Sequence, residues 1–390
     1  MKIAFIHSEK KITTGAHYIN DLIATKLKEK KIKVKDFYPK APLMDSPRHL
    51  KGLKNILFFY SLLENKDDIL KCDLIQGTTY TPLTFIPFNI PIISHFGSTT
   101  IGFLKSTPLT HQLEKETRNI YYRLKKEKVL DEINIRTRRP LRDIWEIEKY
   151  VASKADAVIA TSQKVKQELM ENGIPENNIE IIHNAIEDYW YDNPSKEICE
   201  KPKLVFIGRL GGDAFNLKLK GFDRLIHLYN QNKDIPKVTI AITNSKKLVQ
   251  WLTEKIPNHE LYANIKKHKI PDILRPLKAS IVFIPSRYEG FSLSLIEAMS
   301  QGLIPVIYPV GVAPEIIENG VNGYIVENQN DAQKIISELF KDPKKRAELS
   351  ENAYKTSLKF KSDSMIEKLI ALYEKVLKEK TENKNIINNN

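Results

Sequence analysis

Short apolar runs recur along this chain, each closed by a polar or glycine-bearing stretch. In the first half, apolar runs at residues 3–6, 74–76 and 90–95, and the stretch at 33–36 between the first two, predict β-strands. An amphipathic helix from His17 to Lys30 follows the first of them, after a loop that carries Gly15. Residues 113–151 are charged and helical, with an interruption at Pro140. Runs at 156–161 and 179–183 then predict strands on either side of a helix at 164–172. At 187–203 the pattern lapses into EDYWYDNPSKEICEKPK, which is polar and proline-bearing. A second alternation follows, with strands expected at 204–208, 238–243, 261–265, 281–285, 306–308 and 324–326 and helices between most of them. Alternating strands and helices imply parallel sheets covered by helices. The expected fold is therefore α/β, with two doubly wound, Rossmann-like domains in series and a cleft between them. The expected boundaries are 1–190 for the first domain and 191–362 for the second. A helix at 363–380 is expected to pack back on the first domain, and the tail at 381–390, with almost nothing apolar to bury, to be disordered.

The stretch SRYEGFSLSLIEAMSQG carries two carboxylates, Glu289 and Glu297. The buried-strand pattern KASIVFIPS precedes it, a helical pattern follows Gly290, and Gly302 with Pro305 supplies a stop signal. Glu289 then falls in a strand-to-helix loop, where open parallel sheets place ligands, and Glu297 about one turn inside the helix. Ionised carboxylates accept paired hydroxyl hydrogen bonds, so both positions suit a polyhydroxylated ligand. The backbone amides of Phe291, Ser292 and Leu293 stand where a helix start presents donors to an anion. A purely local account competes: Ser294 to Glu297 also spells a capping box, and Glu289 fits a solvated loop.

At the head of the second alternation, KLVFIGRL leads into a loop with Gly211 and Gly212, then Lys218, Lys220 and Gly221. A first strand-to-helix turn is where doubly wound domains hold phosphate, and Arg209 and Lys220 add positive charge there. The stretch has no GK[ST] ending and no GxGxxG spacing, so it is neither a P-loop nor a dinucleotide fingerprint.

Bulk properties narrow the choice of function. The chain has 390 residues, with 42% hydrophobic and 28% charged content, the profile of a soluble globular protein. Cys72 and Cys199 fit no metal or redox spacing, which points to a reducing cytosolic setting. The N-terminal apolar run is too short for a signal peptide, and no run approaches the roughly 20 residues of a membrane span. A net charge of +13 raises nucleic-acid binding as a rival, but no nucleic-acid motif is present and much of the lysine excess follows from composition. An arginine cluster at Arg136, Arg138, Arg139 and Arg142 suits phosphate, or a solvated helical face. Residues 50–63, LKGLKNILFFYSLL, fit a helix resting on an anionic membrane surface or a core helix of the first domain.

Taken together, Arg209, Lys220-Gly221, and Glu289 and Glu297 in EGFSLSLIEAMSQGLIPVI resemble the nucleotide-sugar domain of retaining glycosyltransferases of family 4, with the two-domain GT-B fold. ADAVIATSQKVKQELMENGIPENNIEIIHNAIE, GVAPEIIENGVNGYIV and DPKKRAELSENA extend the similarity. The resemblance implies a retaining transfer of sugar from a nucleotide-diphosphate sugar to a saccharide or lipid-linked acceptor, in cell-envelope polysaccharide or lipopolysaccharide synthesis. It implies that Arg209 and Lys220 bind the diphosphate and that Glu289 holds the donor sugar, with the amides at Phe291, Ser292 and Leu293 near sugar and phosphate. Glu297 would bind the ribose, Gly15 would approach the diphosphate, and His95 would sit near the reacting sugar. Asn184 counts among the substrate-binding positions. Neither cofactor nor metal is expected, nucleic acid is not expected as a partner, and the location is cytoplasmic with peripheral contact to an anionic membrane. A GT-B epimerase or hydrolase of nucleotide sugars is the alternative. Three departures from the family pattern stand out. The gap from Arg209 to Lys220 is longer than usual, which makes Lys218 a rival for the lysine role. Gly15-Ala16 replaces a glycine pair, and Asn184-Ala185 replaces Asn-Gly.

Overall fold

The computed structural model describes residues 1–10, 15–40, 51–134 and 138–388. The chain forms two compact units. The first takes Met1–Ile101, Arg139–Glu187 and Phe360–Asn390; the second takes Gly102–Arg138 and Asp188–Lys359. The segment 102–138, which the apolar pattern leaves inside the first domain, thus belongs to the second unit.

In the first unit, six parallel strands form one sheet: β1 (Lys2–Ile6), β2 (Lys33–Phe37), β3 (Leu74–Thr78), β4 (Ile92–Phe96), β5 (Ala157–Ala160) and β6 (Ile179–Ile181). Their order is β2-β1-β3-β4-β5-β6. All five residues of β4 and all four of β5 are buried, as a sheet covered on both faces requires. Each large apolar side chain removed from water there stabilises the unit by about 1.5–3 kcal/mol before entropy is counted. The helix Ser362–Asn388 closes this unit: the Tyr373 hydroxyl donates to Gln76 on β3, and Lys380 pairs with Asp156 at 2.9 Å.

In the second unit, the parallel strands are β7 (Leu204–Arg209), β8 (Lys237–Ile242), β9 (His259–Ala263), β10 (Ile281–Ile284), β11 (Ile304–Ile307) and β12 (Tyr324–Ile325). Their order is β12-β11-β10-β7-β8-β9. Strand order reverses on either side of β7, so the switch point lies between β7 and β10. Both strands end in the loops that carry the candidate residues.

Two expectations are corrected, those for the C-terminal tail and for Gly15, and the helix at residues 51–63 follows its core-helix reading. The helix Ser362–Asn388 continues past Thr381, because no glycine or proline interrupts it and Lys378 reaches Glu382 one turn on at 3.9 Å. In the helix Lys51–Leu63, Phe58 is fully buried in the core and Phe59 packs against it. Among its described side chains, Ile56, Leu57 and Tyr60 are the exposed apolar ones. Gly15 is the first residue of the helix Gly15–Glu29 instead of a loop residue. Arg136 lies outside the described residues, as do residues 11–14 before Gly15. No helix among the described residues is long and apolar enough to cross a membrane.

Candidate active site

Glu289 follows β10 by a few residues, and Lys220 ends the short helix Ala214–Leu219 as its C-cap. That helix takes up the long gap after Arg209. Asp213 starts it by accepting a hydrogen bond from the Asn216 amide at 2.9 Å, a local N-cap. Gly221 stops it in a left-handed conformation at φ 63°. A Cβ at Gly221 would lie 1.9 Å from the Pro285 carbonyl oxygen, so only glycine lets the lysine loop lie against the loop after β10.

This contact sets the central pair. Lys220 Nζ donates to Glu289 Oε1 at 2.7 Å, and the Ser286 hydroxyl donates to the same oxygen at 2.7 Å. With side-chain exposures of 24% and 14%, the pair is half-sheltered yet open to a ligand. Lys218, two residues earlier, is fully buried. Its ammonium donates to the Ile133 carbonyl at 2.6 Å and lies 5.4 Å from the Tyr121 ring centroid. Lys218 therefore fastens segment 102–138 to its own unit, and Lys220 is the lysine at the loop. Arg209, the last residue of β7, is exposed.

Behind the pair lies a buried charge network. Arg287 grips Asp223 with both terminal nitrogens, at 2.7 and 2.6 Å, and the Tyr121 hydroxyl donates to Asp223 at 3.0 Å. Burial pushes the Arg287 pKa down, but the Asp223 charge and its hydrogen bonds, with smaller help from Tyr121 and Tyr308, together hold it above its ordinary value. Arg224 lies 3.8 Å from the Tyr308 ring centroid and donates to the Pro285 carbonyl at 3.2 Å.

Beyond Glu289, Ser292 sits at φ 81°, left-handed and 4% exposed, and caps nothing. Its hydroxyl has no hydrogen-bond partner among the described residues. The Phe291 carbonyl accepts from the Val312 amide at 2.9 Å, Phe291 is itself buried, and Leu293 begins the helix Leu293–Ser300. Glu297 is no capping residue, because the helix starts too early for Ser294 to be its cap. Instead Glu297 meets Lys267 at 3.1 Å, both side chains about nine-tenths buried.

In the first unit, His95 on β4 and Asn184 are buried, and His95 Nε2 and Asn184 Oδ1 both lack hydrogen-bond partners among the described residues. Desolvation pushes the His95 pKa down to about 4, against a smaller upward effect from the Asn184 side chain. The imidazole is neutral at pH 7. Gly15 is exposed at its helix start.

The chain thus brings together Lys220, Glu289 and the Phe291–Leu293 turn in one unit, with Arg209 and Glu297 on adjoining elements. His95, Asn184 and Gly15 belong to the other unit. Ser286, Arg287, Asp223, Tyr121 and Lys267 are additions that the sequence reading did not single out. Ser286 and Arg287 stand inside the SRYEGF motif and Asp223 directly after Lys220-Gly221-Phe222, so proximity could have flagged them. Tyr121 and Lys267 carry no local signal. Among the described residues, no three His, Cys, Asp or Glu side chains are grouped as metal ligands.

Comparison with known proteins places this arrangement. Residues 190–356 match the family described as glycosyl transferases group 1, and residues 25–188 match glycosyltransferase family 4. An uncharacterized 41.2 kDa protein in the cps region of Klebsiella pneumoniae is 26% identical over 246 residues, covering 58% of this chain and 64% of that protein. The chain spans 55–64% of the length of the first curated relatives it matches. Sucrose-phosphate synthase from Thermosynechococcus elongatus has the same fold, with TM-score 0.74 at 15% identity, over 96% of this chain and 99% of that one. So does the Anabaena protein HepE in complex with UDP-glucose, with TM-score 0.65 at 17% identity, over 96% and 100%. The two family matches, one to each half of a chain built from two parallel-sheet α/β units, show that it belongs to the group 1, family 4 glycosyltransferases with the GT-B fold.

Proposed function

We propose that this chain transfers a sugar from a nucleotide-diphosphate sugar to a saccharide or lipid-linked acceptor, with retention at the anomeric carbon. The observation that carries this is the Lys220–Glu289 pair at the β7/β10 switch point, where one cation and one carboxylate share a half-sheltered loop contact. In the proposed reaction the bond from the anomeric carbon to the diphosphate oxygen breaks, and the acceptor oxygen bonds to that carbon on the same face. The acceptor hydroxyl proton passes to the departing phosphate. Lys220 and Arg209 stabilise the charge that grows on the leaving diphosphate, and the amides at Phe291–Leu293 add helix-end donors. Removing one such preorganised donor costs about 10²–10³ in rate.

Glu289 has one oxygen occupied by Lys220 and Ser286, which leaves the other for a donor-sugar hydroxyl. Glu297, with Lys267 beside it, takes the ribose hydroxyls. The unpartnered atoms of His95 and Asn184 support a role in meeting sugar hydroxyls, as a buried polar atom without a partner costs free energy until a ligand satisfies it. With two cations assigned to the diphosphate, the transfer is expected to proceed in excess chelator. The HepE complex favours a uridine nucleotide as the first donor to try. The similarity to the lipopolysaccharide 1,6-galactosyltransferase of Escherichia coli favours a cell-envelope glycan acceptor. For contact with an anionic membrane, the exposed Ile56, Leu57 and Tyr60 are the face to test, by vesicle co-sedimentation of variants with asparagine there.

The deciding experiment is a thermal-shift panel of nucleoside diphosphates and nucleotide sugars on the wild type, Lys220→Ala and Glu297→Ala, followed by product analysis. A shift with one nucleotide family, lost in both variants, and a donor stable until acceptor is added support transfer. Rapid isomerisation or hydrolysis without acceptor would replace transferase by epimerase or hydrolase, and no shift with any nucleotide would remove the donor site altogether.

A further inference from the structure

We infer that Arg287, held by Asp223 and Tyr121, is the positioning residue that sets the Lys220–Glu289 pair. The inference rests on the donor-site reading above, and it reaches residues that touch neither donor nor acceptor there.

Two loops must meet for that pair to form, one after the helix Ala214–Leu219 and one after β10. Arg287 stitches them. Its backbone amide donates to the Leu219 carbonyl at 2.8 Å, and its guanidinium donates to the Lys218 carbonyl at 2.8 Å. Leu219 directly precedes Lys220, and Glu289 lies two residues beyond Arg287. The path Lys220, Glu289, Arg287, Lys218 carbonyl is therefore a closed ring joined through short stretches of backbone. A rotation of the guanidinium would break its link to the Lys218 carbonyl and leave the backbone amide bond to Leu219 to hold the two loops without it.

Asp223 prevents that rotation. It is fully buried and takes both ends of the guanidinium fork, so the planar group has one orientation. Such a buried ion pair gains little stability over an apolar replacement, because desolvation offsets the attraction. What it supplies is direction. The Tyr121 hydroxyl gives the carboxylate a third donor, and Tyr121 comes from segment 102–138, which Lys218 binds to the same unit through the Ile133 carbonyl. The donor-site loops are thus indexed to a helix about a hundred residues upstream of Asp223. Displacing the pair by about 1 Å suffices for a rate loss on the order of 10²-fold.

The test compares Arg287→Lys and Tyr121→Phe with the wild type, alone and combined with Lys220→Ala. Arg287→Lys keeps the charge but loses the fork; Tyr121→Phe loses only one donor and is the milder change for folding. Crystal structures of the two variants should show the Lys220–Glu289 contact opened in Arg287→Lys and loosened in Tyr121→Phe. A contact unchanged in both overturns the inference, whatever the chain transfers. In kinetics, kcat should fall roughly 10- to 100-fold in Arg287→Lys, with the donor KM moving less than about threefold. On the Lys220→Ala background the same substitution should have little further effect, since both act through one pair. Independent, additive losses would assign Arg287 to stability alone. If the wild type transfers no sugar, the functional reading fails while the structural comparison still decides the positioning role.

Discussion

Two lysines two residues apart divide the work at the residue scale. Lys218 is spent inside its unit and Lys220 is presented at the loop, so their alanine variants should fail in opposite ways. Lys218→Ala removes a buried ammonium and strands the Ile133 carbonyl, a loss of about 2–4 kcal/mol in denaturant unfolding. Lys220→Ala should unfold at nearly the wild-type denaturant midpoint and lose about 10²–10³ in kcat. The reverse pattern would exchange their roles. His95 gives a second residue-scale expectation, in pH. Its pKa is depressed to about 4 in the fold and is about 6.5 when unfolded, so below pH 6.5 the unfolded chain binds the extra proton. Stability is then lost as pH falls from about 6.5 to 4. The wild type should lose roughly 2–3 kcal/mol more than His95→Gln between pH 7 and pH 4. Parallel stability curves would show that the imidazole is protonated without penalty.

At the scale of elements, the loops matter more than the strands. Gly221 is the hinge of the donor site, left-handed and packed on the Pro285 carbonyl. Gly221→Ala should cost about 1–2 kcal/mol for the backbone and a further 1–3 kcal/mol for the overlap. Nucleoside-diphosphate binding, read by calorimetry, should weaken with it because the two loops are pushed apart. Gly311, at φ 56° with its Cβ position 2.4 Å from the Phe291 carbonyl, packs against the loop further along, beside Glu289. These features show what was legible in the chain. The central strands of both sheets were announced by apolar runs, because residues buried on both faces of a parallel sheet cannot alternate, whereas the edge strand β2, KVKDF, alternates and is only partly buried. The placement of Glu289 beyond β10 followed from the same pattern. The extra helix between Arg209 and Lys220 did not, because six residues are too few for a helical period to stand out. The capping box at Ser294 was misleading, since a local motif cannot reveal that Lys267, thirty residues earlier, would claim Glu297. Tyr121 was invisible for the same reason: its partner lies on a distant element.

Over the whole molecule, each unit is assembled from separated stretches of chain. A fragment of residues 188–359 alone lacks Tyr121 and Ile133, which leaves Asp223 and Lys218 buried without those partners. It should show poor amide dispersion by NMR, and joining residues 102–138 to it by a flexible linker should restore a dispersed spectrum. A well-folded 188–359 would mean that the segment is dispensable. The return of the helix Ser362–Asn388 to the first unit has its own consequence, in the order of synthesis. Residues 1–101 and 139–187 leave the ribosome long before the Tyr373 hydroxyl exists to meet Gln76. The second unit, begun later, has all its parts once residue 359 is out. The half of the chain that is made first is therefore the half that finishes folding last, and during elongation it is the half that offers its uncovered surface to chaperones.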